Sequence, residues 1–195
     1  MKRTLATLFL ALLPTAALAH VGVGDTSGFA HGFLHPVSGI DHVLAMVAVG
    51  LFAAQLGGRA LWLVPAAFVG TMALGGVLGL AGVALPFVEI GIALSVVVLG
   101  LAIASGWNHS LVVAMALVGF FAVFHGHAHG AEMPETASGL LYGLGFLLAT
   151  ATLHGAGVGF GLLLGRIGEV SGRQITKVTG GAMALVGVAI LGGAL

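Results

Sequence analysis

Cysteine is absent from this 195-residue chain, which removes disulfides, thiolate metal ligands, thiol catalysis and covalent haem attachment together. Charge is scarce: six basic and six acidic residues make up 6% of the total and cancel to a formal net charge of zero. No nucleic-acid partner is expected. An ATP-binding motif is missing, as is the H-E-x-x-H signature of zinc proteases. What fills the space is apolar. With 59% hydrophobic residues and a mean hydropathy of +1.18, the chain carries more apolar surface than a soluble globule could bury. It reads as a polytopic membrane protein.

Lys2 and Arg3 precede a short apolar run from Leu5 to Leu13, then Pro14 and the small-residue site Ala17-Leu18-Ala19. This pattern predicts a signal peptide over residues 1–19, since the run falls short of the roughly 20 residues that a transmembrane helix needs. Residues 20–195 are then one transport domain. Apolar stretches of spanning length run from Pro36 to Leu56, Ala60 to Val83, Pro86 to Ser105, Ser110 to His129, Ala137 to Gly165 and Ile175 to Leu195. They are too long and too continuously apolar for the alternating strands of an outer-membrane barrel. The predicted fold is an all-α, six-helix transmembrane bundle with brief, glycine- and proline-rich connections.

The basic residues of residues 20–195 are Arg59, Arg166, Arg173 and Lys177. All fall in or beside connections that a six-span topology puts on one side, and the positive-inside tendency makes that side cytoplasmic. Asp25, Glu132 and Glu135 fall on the other side, so both mature termini are expected outside. The 34 glycines often recur at spacing four, as in Gly157, Gly161 and Gly165 or Gly139 and Gly143. Small residues so spaced let helix backbones approach closely, and packing is the reading adopted for them.

Two stretches hold most of the polar chemistry: HPVSGIDH from His35 to His42, and FHGHAHGAE from Phe124 to Glu132. Ionisable groups at membrane depth are costly and mark an ion or substrate path by default. If Pro36 occupies the first turn of its helix, His35 stands at the mouth and His42 lies about two turns below on the same face, with Asp41 beside it. Asp41 and His42 would then sit roughly 8 to 9 Å inside the boundary. A carboxylate there demands a partner, and no Lys or Arg in the mature spans is deep enough to supply one. In the fourth segment His125 and His129 share a face, with Glu132 three residues beyond. Gly126 and Gly130 suggest irregular backbone, and His127 points elsewhere on a regular helix. Glu89 adds a carboxylate one turn into the third segment. His109 reads as a loop residue. His154 lies much deeper, either as an inner relay or as a packing residue, and the roles of His20, His127 and His154 stay open.

The donor types narrow the guest. Imidazole suits nickel, cobalt, zinc or Cu(II), and without cysteine or a methionine cluster Cu(I) is disfavoured. Mixed imidazole and carboxylate ligands suit a borderline divalent ion, but donor chemistry alone does not choose among nickel, cobalt and zinc. The candidate metal-ligating residues are His35, Asp41, His42, Glu89, His125, His129 and Glu132.

His35-Pro36 with Gly39, Asp41 and His42, together with Phe124-His125-Gly126, Ala128-His129-Gly130 and Glu132, resemble the paired motifs of the HupE/UreJ family, and the resemblance covers essentially the whole chain. It implies a secondary permease for Ni(II), or for Co(II), in the bacterial cytoplasmic membrane. It also implies indirect supply of metal to hydrogenase, urease or cobalamin synthesis. By motif it makes His35, Asp41 and His42 the principal recognition group, with His129 and Glu132 contributing. The metal is expected as transported substrate, the lipid bilayer as surroundings, and no tightly bound cofactor is expected. An enzyme is not expected. The competing readings are an intramembrane metalloenzyme or haem protein, and a metal-binding accessory protein that does not conduct.

Overall fold

A computed structural model describes residues 28–108, 110–133 and 138–194. The predicted signal peptide, His20, Asp25, His109 and Glu135 lie outside these. Among the described residues there are seven helices and no strand: α1 (Gly28–Ser38), α2 (Ile40–Leu56), α3 (Ala60–Leu80), α4 (Val88–Ser105), α5 (Leu111–Ala131), α6 (Gly139–Arg166) and α7 (Glu169–Leu191). The helices α3 to α7 are each long and apolar enough to cross a membrane, and α1 with α2 qualifies as one broken span. This is an all-helical, multi-pass membrane protein.

The first span differs from expectation. Helix begins at Gly28, well before Pro36, and breaks at Gly39 with a bend of 83° between α1 and α2. Pro36 therefore sits in the last turn of α1, not in the first turn of the next helix. The chemistry of the break is local. Proline has no N–H to return to the carbonyl four residues earlier, which weakens the helix there. The Ser38 hydroxyl donates to the His35 carbonyl at 2.6 Å, satisfying a terminal acceptor. Gly39 is extended (φ −94°, ψ 125°), and its carbonyl receives the Val43 N–H to start α2. His35 and His42 consequently belong to different helices, and the expectation that they share a helical face is overturned.

Helices far apart in sequence are held together through glycines that allow backbone to touch backbone. A Cβ at Gly126 or Gly130 of α5 would overlap the Met72 and Gly76 carbonyls of α3, and one at Gly75 or Gly79 would overlap carbonyls of α5. The close approach, not irregular backbone, is what Gly126 and Gly130 supply, since α5 remains helical through Ala131. Gly50 and Gly157 do the same for α2 against α6, each facing the other helix's backbone. Gly161 also meets α2, whereas Gly143 and Gly165 face open space. The core between these helices holds Met46, Phe52, Phe68, Met72, Leu99 and Ile103, all essentially inaccessible.

Arg59, Arg166, Arg173 and Lys177 gather at one end of the bundle by this topology, and the break at Gly39 and the end of α5 lie at the other. These are called the basic end and the histidine end below.

Candidate functional site

Before the bend at Gly39, α1 packs alongside the first turns of α6 at the histidine end. Gly32 of α1 abuts the Tyr142 carbonyl, and Gly145 of α6 abuts the Phe29 carbonyl. That contact sets His35 above the last turns of α5. The His35 ring meets the His129 ring edge to face at 4.7 Å between centroids, and its Nε2 lies 3.3 Å from a Glu132 carboxylate oxygen. His35, His129 and Glu132 can each offer one donor atom such that all three lie within 4.8 Å of one another. The His35 side chain is 25% exposed and that of Glu132 57%, so this trio forms a mouth rather than a closed cage.

Below the mouth the imidazoles continue inward. His129 meets His42 at 4.4 Å, and His42 meets His125 at 4.8 Å, both edge to face. Four imidazoles from α1, α2 and α5 thus form one continuous row. Their buried nitrogens are largely unpaired: both of His129, Nε2 of His42 and Nδ1 of His125 find no hydrogen-bond partner. Buried polar atoms are normally satisfied, and leaving one bare costs on the order of 1–3 kcal/mol. Since a neutral imidazole keeps one N–H, each of these three buried rings can present one lone pair to a guest.

The paired nitrogens fix which lone pairs are free. His42 Nδ1 lies 2.9 Å from Asp41 Oδ1, which also accepts the His42 backbone N–H at 2.8 Å. A carboxylate accepts only, so Nδ1 carries the proton and Nε2 presents its lone pair, the arrangement by which a second ligand shell orients a metal-binding imidazole. Asp41 lies in the first turn of α2, where the helix dipole favours its negative charge. Gly39 makes room for the pair, because a Cβ there would stand 2.7 Å from Asp41 Oδ1 and 3.3 Å from His42 Nδ1. On His125, Nε2 lies 2.9 Å from the Ser95 hydroxyl, whose proton goes to the Ile92 carbonyl at 2.6 Å. Nε2–H is therefore the donor and Nδ1 is left bare.

Of the seven residues singled out from sequence, His35, Asp41, His42, His125, His129 and Glu132 come together in this row. Glu89 is exposed in the first turn of α4, and no described hydrogen bond or ion pair joins it to the row. His127 turns away, as its register suggests, and its Nε2–H donates to the Val83 carbonyl at 2.7 Å, tying the end of α5 to the α3–α4 connection.

Three participants escaped the sequence reading. His31 stacks on His35 at 6.0 Å and approaches Tyr142 at 5.9 Å. Its spacing of four from His35 was the available signal, hidden by starting the helix at Pro36. Tyr142 also stands 6.3 Å from His35. Ser95 had only its polarity within an apolar run to mark it.

Comparison with known proteins adds an independent finding. The family model described as HupE / UreJ protein matches residues 8–190. Among curated proteins, the one named "Protein HupE" from Rhizobium leguminosarum bv. viciae is 50% identical over 187 residues, which is 96% of this chain and 96% of that protein. No solved structure matches the chain.

Proposed function

The chain belongs to the HupE/UreJ family, and from that premise we propose that it is a secondary permease for a divalent transition-metal cation, Ni(II) first and Co(II) second. The single observation that carries this reading is the row of imidazoles from half-buried His35 through buried His129 and His42 to His125, with bare nitrogens along its buried part. Imidazole with carboxylate suits a borderline divalent ion.

The hydrated cation is captured at the mouth by His35, His129 and Glu132, with His31 on the approach. It then exchanges ligands inward, shedding water as it gains nitrogen. Glu132 and Asp41 offset the charge of the ion as its hydration is lost, and neutral imidazoles bind without adding charge. Asp41 does this partly through His42, whose lone pair it aims. Glu89 contributes negative potential at the same end, without direct ligation. Successive exchange between similar ligands keeps the ion from being trapped, as a conducting path requires.

The histidine end faces the extracytoplasmic side of a bacterial inner membrane, and the basic end faces the cytoplasm, in keeping with the positive-inside tendency. Both mature termini are then extracytoplasmic, after removal of residues 1–19. An inside-negative potential favours entry by roughly 2.3 kcal/mol per charge per 100 mV, so uniport needs no further energy source. The protein acts as a carrier and not as an enzyme, feeding metal indirectly to hydrogenase, urease or cobalamin synthesis.

The test is Ni(II) influx into proteoliposomes with an internal metal-sensitive dye, with Co(II) and Zn(II) as competitors. Influx above that of empty liposomes is expected, with Asp41→Asn inserted in the membrane but reduced at least about tenfold in rate. Influx no faster than empty liposomes would refute the reading, and an Asp41→Asn protein as fast as the wild type would displace Asp41 from it.

A further inference from the structure

One histidine stands apart from the row. His154 lies near the middle of α6, roughly 22 Å from its start at Gly139 and about 18 Å from its end at Arg166. It is 1% exposed, and neither ring nitrogen has a hydrogen-bond partner. A residue needed only for packing would be more stable here as leucine or phenylalanine, which leave no polar atom bare.

Its neighbours join it to the row on one side. The His154 ring meets Phe68 edge to face at 5.1 Å, and the same Phe68 ring meets His125 at 5.7 Å. One aromatic side chain thus links the last imidazole of the row to this deeper one. One turn before His154, the fully buried Thr150 directs its hydroxyl at the Met72 sulfur, 3.8 Å away. Imidazole, hydroxyl and thioether therefore occur together at the α3–α6 contact.

On the other side lies space. Gly161, two turns beyond His154 on α6, lines a cavity of about 450 Å³ at the basic end, along with Leu51, Gln55, Arg173 and Lys177. Between them, Gly157 of α6 packs against Gly50 and Leu51 of α2. His154 lies along α6 between the histidine row and this cavity.

We propose that His154 is a second, deeper binding station, through which the divalent cation passes from the row toward the cavity at the basic end, with Thr150 and Met72 as auxiliary donors. The proposal rests on the cation reading of the row. No carboxylate is a hydrogen-bond or ion-pair partner of His154 among the described residues. An ion at this station is held by neutral donors alone, more weakly than one beside Asp41 and Glu132, and so it is released instead of stored.

Two measurements on the purified full-length protein separate capture from passage. Ni(II) binding at equilibrium, with the absorption of bound Co(II) as a check on ligand type, reports the row and the integrity of the fold. Influx of Ni(II) into proteoliposomes reports passage. His154→Phe and His154→Leu are expected to retain Ni(II) binding with a Kd within about twofold of wild type while influx falls at least about tenfold. His154→Met, which returns a donor atom, is expected to recover part of the influx. Influx within about twofold of wild type in both donor-free variants would overturn the station and leave the row intact. Loss of binding together with influx would overturn it too, by making His154 a structural part of the row. A wild-type protein without influx would overturn the cation reading itself.

Discussion

His42 and His129, on α2 and α5, face each other edge to face with ring centroids 4.4 Å apart. Neither helix positions this pair alone. His42 is aimed by Asp41, and His129 is carried by the last turn of a helix that glycines clamp to α3. The pair is the junction between the mouth at His35 and Glu132 and the deeper ring of His125.

His129→Ala should remove that junction. It takes away two bare nitrogens and breaks the row between His35 and His42. Ni(II) affinity measured by equilibrium binding is expected to fall about tenfold to a hundredfold, with a smaller loss of thermal stability from the cavity left against Phe146. Unchanged affinity would show that the row is not the capture site.

Gly39→Ala should injure the site without unfolding the protein. The backbone at Gly39 is ordinary extended chain, so alanine is not strained there. The added Cβ would lie 2.7 Å from Asp41 Oδ1 and 3.3 Å from His42 Nδ1, and the carboxylate must turn away. Metal affinity is expected to drop about tenfold while the melting temperature in detergent stays within a few degrees of wild type. A variant with wild-type affinity would mean that Asp41 does not orient His42.

Gly126→Ala should do the reverse and act on the fold. Its Cβ would overlap the Met72 carbonyl of α3, which cannot move aside without separating two helices. A destabilisation of about 1–3 kcal/mol or more is expected in detergent unfolding. Gly70→Ala, on the same α3 but with open space around its Cβ, is expected to be neutral or slightly stabilising. Equal effects in the two variants would argue against backbone contact as the reason for these glycines.

Acidifying the medium on the histidine side should slow uptake. Only a neutral imidazole binds metal, so protons and the cation compete for the same lone pairs. Initial rates are therefore expected to decline as the medium is taken from neutral into the mildly acidic range. Rates that hold constant over that interval would count against imidazole capture.

Much of the candidate site was legible in the motifs, and one feature was misread. The six donors that meet in the row were all marked by being ionisable within or beside apolar runs. The path by which His35 reaches His129 was not, because Pro36 is compatible with a helix start as well as with a helix end. The Ser38 side chain and the packing of Gly32 against Tyr142 select the second. Glu89 shows the opposite case. Its position in the first turn of its helix is as predicted, and no described hydrogen bond or ion pair joins it to the row.

The sequence by itself determined the membrane class, the number and extent of most spans, and the two stretches that hold most of the polar chemistry. Those properties are local: hydropathy, run length and residue type do not depend on which helices touch. Tertiary structure alone decided that α1 packs on α6, that His42 meets His129, that Ser95 leaves His125 Nδ1 bare and that His154 stands beyond Phe68. Each of these depends on which face one helix turns toward another distant in sequence. That choice is made by backbone contact at particular glycines, a property of paired surfaces that no single segment carries.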